Sequence, residues 1–272
     1  MSTSRQRPTT CLTARAQRDQ AIVNVVKFIA PDDPPESFPD PGGATTEPDG
    51  LLAVGGDLTP ARLLAAYGRG IFPWYETGQP ILWWSPNPRA VLLPGELHIS
   101  RSLKRSLRSD RYCVSIDLDF EAVIDGCADA RATTGTWITR EMRSAYVRLH
   151  ELGYAHSVEV WCGPELVGGL YGIALGEVFF GESMFSRAPD ASKLALVRLV
   201  RQVQHRGMKL IDCQVATRHL TSLGSRLLPR PDFLRQLEVM VPANSETGAW
   251  RAMRGPTSAL VTTGSGAAPL RG

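Results

Sequence analysis

The chain has 272 residues, 43% hydrophobic and 21% charged, with a formal net charge of +3. That balance fits a globular protein of one large or two small domains, and no apolar run approaches the roughly 18 residues that a membrane span needs. The five cysteines are odd in number and lack CxxC spacing, which argues against a disulfide framework or zinc cluster and fits a reducing cytosol.

In chain order, the opening stretch MSTSRQRPTTCLTARAQRDQ carries arginines but no apolar run with a small-residue cleavage site, so export is not expected. Residues 1–37 read as a disordered leader, and proline and glycine crowd 31–49 too densely for regular structure. A short helix is predicted over 60–69, with Thr59 as N-cap, Pro60 at the first helical position and Gly70 as the stop. A region of loops and short strands rich in tryptophan follows. A helix starting at Ser100 then carries Arg101, Lys104, Arg105 and Arg108 along one side.

The second half has a different rhythm. Thr139 caps a helix that stops at Gly153, and a strand over 156–161 precedes an antiparallel hairpin of 165–175 with 178–185. A helix from Ser192 to about Arg206 leads into a buried strand over 209–215 and a short helix near 217–223. The sequence thus divides into an N-terminal domain (38–125), a catalytic domain (126–240) and a flexible tail (241–272). An antiparallel meander, a helix and a further strand make the fold class α+β: a small irregular N-terminal domain, then an acetyltransferase-like domain whose mostly antiparallel sheet is flanked by helices.

Polar residues interrupting apolar strands mark the chemistry. Asp212 and Gln214, two apart in Lys209–Val215, share a face in strict alternation, while Cys213 points away into packing. Burying such groups unpaired costs several kcal/mol, so they form either a satisfied core network or the floor of a cleft. Glu182, in FGESM, interrupts the hairpin in the same way and is either an edge-strand ion-pair partner or part of that floor. Ser192 is an N-cap or an anion ligand at a helix N-terminus. The loop before it lacks the glycine run of a pyrophosphate cradle, which disfavours coenzyme A.

Ser183 lacks the flanking pattern of a nucleophile elbow, and the histidines lack metal spacing. Only Lys27, Lys104, Lys193 and Lys209 among the 30 basic residues are lysine. Arginine suits bidentate phosphate contacts, although a GC-rich genome produces the same bias. The stripe at 101–108 is the densest basic cluster of the expected body and the preferred phosphate surface.

The blocks EPDGLLAVGGDLTPARLLAAYGRGIFPWY, ILWWSPNPRAVLLP, GTWITREM, HELGYAHSVEVW, LVGGLYGIALGEVFFGESMFSR and KLIDCQV resemble the bacterial leucyl/phenylalanyl-tRNA–protein transferases, from about Phe38 to Leu237. The resemblance implies transfer of Leu or Phe from Leu-tRNA or Phe-tRNA to the N-terminal Arg or Lys of a protein, marking it for N-degron degradation. It also implies a cytoplasmic monomer needing no metal or cofactor and no membrane. Carried over residue by residue, the catalytic groups are Asp212, Gln214 and Glu182. The aminoacyl pocket falls on Leu170, Phe179, Leu196, Leu199, Val203 and Ile211. The tRNA 3′ end meets Trp74, Trp137 and Ser192, and Arg101, Lys104 and Arg105 take tRNA phosphates. Two other readings stand beside this one: a coenzyme-A-dependent acetyltransferase and a non-catalytic tRNA- or peptide-binding module.

Overall fold

The computed structural model describes residues 26–131, 137–242 and 247–261. A four-stranded sheet contains β1 (Lys27–Ile29), β2 (Leu51–Gly55), β3 (Phe72–Pro73) and β4 (Leu82–Trp84), in the order β1-β2-β4-β3. An eight-stranded sheet contains β5 (Arg89–Leu92), β6 (Cys113–Ile116), β7 (Ala155–Cys162), β8 (Glu165–Leu175), β9 (Val178–Ser186), β10 (Leu210–Gln214), β11 (Arg226–Leu228) and β12 (Ala252–Pro256). Its order is β11-β5-β10-β9-β8-β7-β6-β12. The helices are α1 (Pro60–Gly68), α2 (Arg101–Arg108), α3 (Phe120–Asp129), α4 (Arg140–Glu151), α5 (Ala191–His205), α6 (Arg218–Ser222) and α7 (Arg230–Met240).

The α+β class holds. Strands β7, β8 and β9 form an antiparallel meander, and α5 carries the chain back so that β10 pairs parallel to β9. Alternation along the meander sends neighbouring residues to opposite faces. Leu170 and Phe179 join α5 in one buried cluster, whereas Tyr171 and Phe180 join α1, α3, α4 and α7 in the other. Close approach of α5 needs glycine beneath it. A Cβ on Gly168 would stand 2.5 Å from that of Ala191, well inside van der Waals contact.

Thr59 and Thr139 cap their helices as expected, and Ser100, expected as the start of a helix, is the cap of α2. The Thr59, Ser100 and Thr139 hydroxyls each accept the backbone N–H three residues on, at Arg62, Leu103 and Met142. Each satisfies one N–H that the helix itself cannot pair.

Several expectations need correction. Part of the supposed leader is structured, since β1 pairs parallel with β2; residues 1–25 lie outside the described residues. Arginine side chains explain how the proline-rich stretch is held without regular structure. Buried Arg62 donates to the Asp33 and Pro34 carbonyls, Arg69 to those of Phe38 and Pro39, and Arg230 to those of Ser85 and Gly42. These three arginines therefore staple backbone. The supposed tail contributes β12, paired antiparallel with β6, and buried Trp250 stacked 4.0 Å from the His156 ring. Finally, β5 and β6 belong to the large sheet, so the sheets divide between Trp84 and Arg89 rather than near residue 125.

Candidate active site

Polar side chains of β9 and β10 converge on a cavity of about 480 Å³ between the sheet, the β3 region and α6. That volume lies in the range of small-molecule sites. Its apolar lining includes Leu170, Phe179, Leu196, Leu199 and Ile211, and its rim includes Trp74 and Trp137. The two tryptophan rings have centroids 6.2 Å apart, and Trp74 is 44% exposed.

Asp212 is fully buried and held by both arms of Arg89, at 2.8 Å from Nε and 2.6 Å from Nη2. The guanidinium lies between the Phe72 and Phe233 rings, at 4.7 and 4.9 Å. Asp212 Oδ1 also accepts the Gln214 backbone N–H at 2.9 Å. A register shift between Asp212 and Gln214, with Gln214 at φ +60°, breaks the strand's alternation. Cys213 therefore lines the same cavity instead of pointing away, and burial pushes its thiol pKa up. The bulge turns the Gln214 side chain toward β9, where Nε2 donates to Glu182 Oε1 at 2.7 Å.

Glu182 lies on an interior strand of the sheet, so it is no edge-strand ion-pair partner. Tyr67 donates to its Oε1 at 2.6 Å and Tyr146 to its Oε2 at 2.8 Å, and the two phenol oxygens also touch. Two phenolic protons cannot satisfy three oxygen–oxygen contacts. With Glu182 protonated, its O–H takes over one of the phenol–carboxyl contacts, and the phenol so released donates to the other phenol. Burial outweighs the opposing hydrogen bonds from the two phenols and Gln214 and raises this carboxyl from 4.5 to about 7. Burial first, then the Glu182 charge, hold both phenols well above their ordinary range, so they keep their protons.

Two proposed site residues lie elsewhere. Val203 is buried in the α5 core but does not line the cavity. Ser192 is not the cap of α5: Asp190 takes that position with φ +62°, and Ser192 instead bonds through its backbone N–H to Ser186 Oγ. Arg101, Lys104 and Arg105 form an exposed face on α2, whose buried side is Leu103 and Leu107. Among the described residues no three His, Cys, Asp or Glu cluster as metal ligands would.

Sequence reasoning missed Arg89, Tyr67 and Tyr146, and also Arg131, which lines the cavity. Arg89 was detectable as a charge opening the apolar run RAVLL. The tyrosines sit on the apolar faces of α1 and α4, where they resemble ordinary core.

A glutamine held by Asp212 through its backbone and by Glu182 through its side chain, beside an apolar-lined cavity, suits attack of an amine on an acyl group that is already activated. Such a centre defines an acyltransferase that works by positioning. The leucyl/phenylalanyl-tRNA protein transferase family model matches residues 91–238, and that family's N-terminal-domain model matches 56–87. Leucyl/phenylalanyl-tRNA–protein transferase of Stutzerimonas stutzeri is 58% identical over 217 residues, which cover 79% of this chain and 96% of that one. The protein of that name from Anaeromyxobacter sp. (strain K) is 56% identical over 226 residues, covering 82% and 95%. Among solved structures, a GCN5-related N-acetyltransferase from Kribbella flavida is 15% identical and covers 63% of this chain and 61% of that one, with a TM-score of 0.37; the fold class rests on the strand order itself. The chain belongs to the leucyl/phenylalanyl-tRNA protein transferase family and is an aminoacyltransferase.

Proposed function

We propose that this protein transfers leucine or phenylalanine from aminoacyl-tRNA to the α-amino group of an N-terminal Arg or Lys on cytoplasmic acceptor proteins. The observation that carries the reading is Gln214, held by Asp212 through its backbone and by Glu182 through its amide N–H, beside an apolar cavity. The acceptor's basic residue and the cytoplasmic setting come from the family likeness.

An aminoacyl ester is already activated, and an α-amine with a pKa near 8 keeps a usable neutral fraction at neutral pH. No strong base is needed. With its N–H committed to Glu182, the Gln214 carbonyl is left to accept an N–H of the attacking amine and aim its lone pair. The new C–N bond forms as the C–O bond to the terminal ribose breaks, and the amine's proton leaves with the ribose oxygen. The vicinal 2′-hydroxyl offers a short path for that proton. Leu170, Phe179, Leu196, Leu199 and Ile211 form the wall for the leucyl or phenylalanyl side chain. Shape selection by such a wall amounts to only about 1–3 kcal/mol.

The test is transfer of radiolabelled leucine from Leu-tRNA to peptides beginning with Arg, Lys or Asp. Labelling of the first two and not the third is expected. Equal labelling of all three contradicts the acceptor assignment, and labelling of none contradicts the reaction.

A further inference from the structure

Among the described residues, four buried side-chain polar atoms have no hydrogen-bond partner: Ser85 Oγ, Arg89 Nη1, Tyr171 Oη and His219 Nε2. Of these residues only Tyr171 and His219 line the cavity. His219 is half-buried on α6, whereas Tyr171 is wholly buried on β8. A hydroxyl buried without a partner is destabilising, and an acceptor on a bound substrate relieves it.

Strand order puts Tyr171 beside the reaction centre. Strands β10, β9 and β8 are neighbours, and Glu182 stands opposite the register shift between Tyr171 and Gly172. Gln214, Glu182 and Tyr171 therefore form a row across three strands, with Gln214 bonded to Glu182. The Tyr171 ring meets that of Tyr146 edge-on, centroids 5.5 Å apart, in the cluster that also holds Tyr67. It thus lies on the side of the sheet from which both phenols reach Glu182. Two strand spacings, about 10 Å, separate the strands of Gln214 and Tyr171, which is room for an amine, a carbonyl carbon and its oxygen in line. Gln214 Nε2, Tyr67 and Tyr146 all donate within the Glu182 group; the Tyr171 hydroxyl does not. Burial first, then the Glu182 charge, hold this phenol well above its ordinary range, so it meets the substrate as a neutral donor.

Attack of an amine on an ester puts negative charge on the carbonyl oxygen. A donor fixed in a buried site stabilises that charge more than it stabilises the neutral ester. We propose that the Tyr171 hydroxyl donates a hydrogen bond to the carbonyl oxygen of the aminoacyl ester and stabilises the oxyanion as the amine adds. This rests on the proposed function. As the N–C bond forms, the carbonyl π pair moves onto that oxygen. It returns as the C–O bond to the ribose breaks, and Tyr171 keeps its proton throughout.

The experiment compares wild type with Tyr171→Phe, which removes only the hydroxyl. In single-turnover transfer from saturating Phe-tRNA to an Arg-starting peptide, loss of a hydrogen bond to a charged oxygen predicts a rate about 10- to 100-fold lower. Two unreactive donor mimics separate oxyanion stabilisation from ordinary binding. One is a phosphonate whose tetrahedral P–O⁻ replaces the ester carbonyl of phenylalanyl adenosine, and the other is the planar amide 3′-phenylalanylamino-3′-deoxyadenosine. The substitution should weaken the phosphonate about 10-fold more than the amide, or further. In urea unfolding Tyr171→Phe should be no less stable than wild type, because the hydroxyl has no partner in the fold to lose. A rate loss below about tenfold or equal weakening of both mimics overturns the proposal. A lower unfolding midpoint also overturns it and makes the hydroxyl structural. If wild-type protein transfers nothing from Phe-tRNA, the proposed function itself fails, and this assignment with it.

Discussion

Replacing Glu182 with glutamine tests the proton count at the site. In the wild type, burial raises this carboxyl from 4.5 to about 7, so the folded state holds a proton that the unfolded chain releases earlier. A raised carboxyl pKa favours the folded state fully below about pH 4.5, and that advantage is lost as pH climbs through 7. The interval corresponds to about 3 kcal/mol. Glutamine does not titrate, and its N–H supplies the third hydrogen of the Glu182–Tyr67–Tyr146 contacts. Urea unfolding of both proteins at pH values from 4.5 to 8 isolates the effect, because other groups cancel in the difference. Wild type should lose about 3 kcal/mol relative to Glu182→Gln across that range. A difference that stays flat with pH would refute the shared proton.

Two further outcomes follow from the same geometry. Asp212→Ala strands the Arg89 guanidinium between two rings and should destabilise the fold by about 3–5 kcal/mol in urea unfolding; a loss under about 1 kcal/mol would mean that Arg89 is held chiefly by other contacts. Neutralising Arg101, Lys104 and Arg105 together should reduce the log–log salt slope of tRNA binding by about two to three, and an unchanged slope would place the phosphate surface elsewhere.

The meander, α5 and β10 were legible because their signals are local: alternation, caps and turn glycines. Glu182, Asp212 and Gln214 were legible for a related reason, since each interrupts an apolar strand. Their partners were not. Tyr67 lies 115 residues from Glu182, and Arg89 lies 123 from Asp212. A buried tyrosine on an amphipathic helix carries no mark of what its hydroxyl touches. Cys213 was misplaced because strict alternation fails at a bulge. Ser192 was misassigned because the left-handed backbone at Asp190 starts α5 earlier than side-chain capping preferences indicate. The ends of the chain were undervalued for a compositional reason. Gly, Ser and Thr suggest a tail, whereas Trp250 against His156 is a tertiary contact.

The central claim is that Gln214 orients the attacking amine. Single-turnover transfer of leucine from saturating Leu-tRNA to an Arg-starting peptide by Gln214→Ala, confirmed folded by its unfolding transition, tests it most directly. Loss of orientation predicts a rate reduced by about 100-fold or more, and a rate within about twofold of wild type would contradict the account.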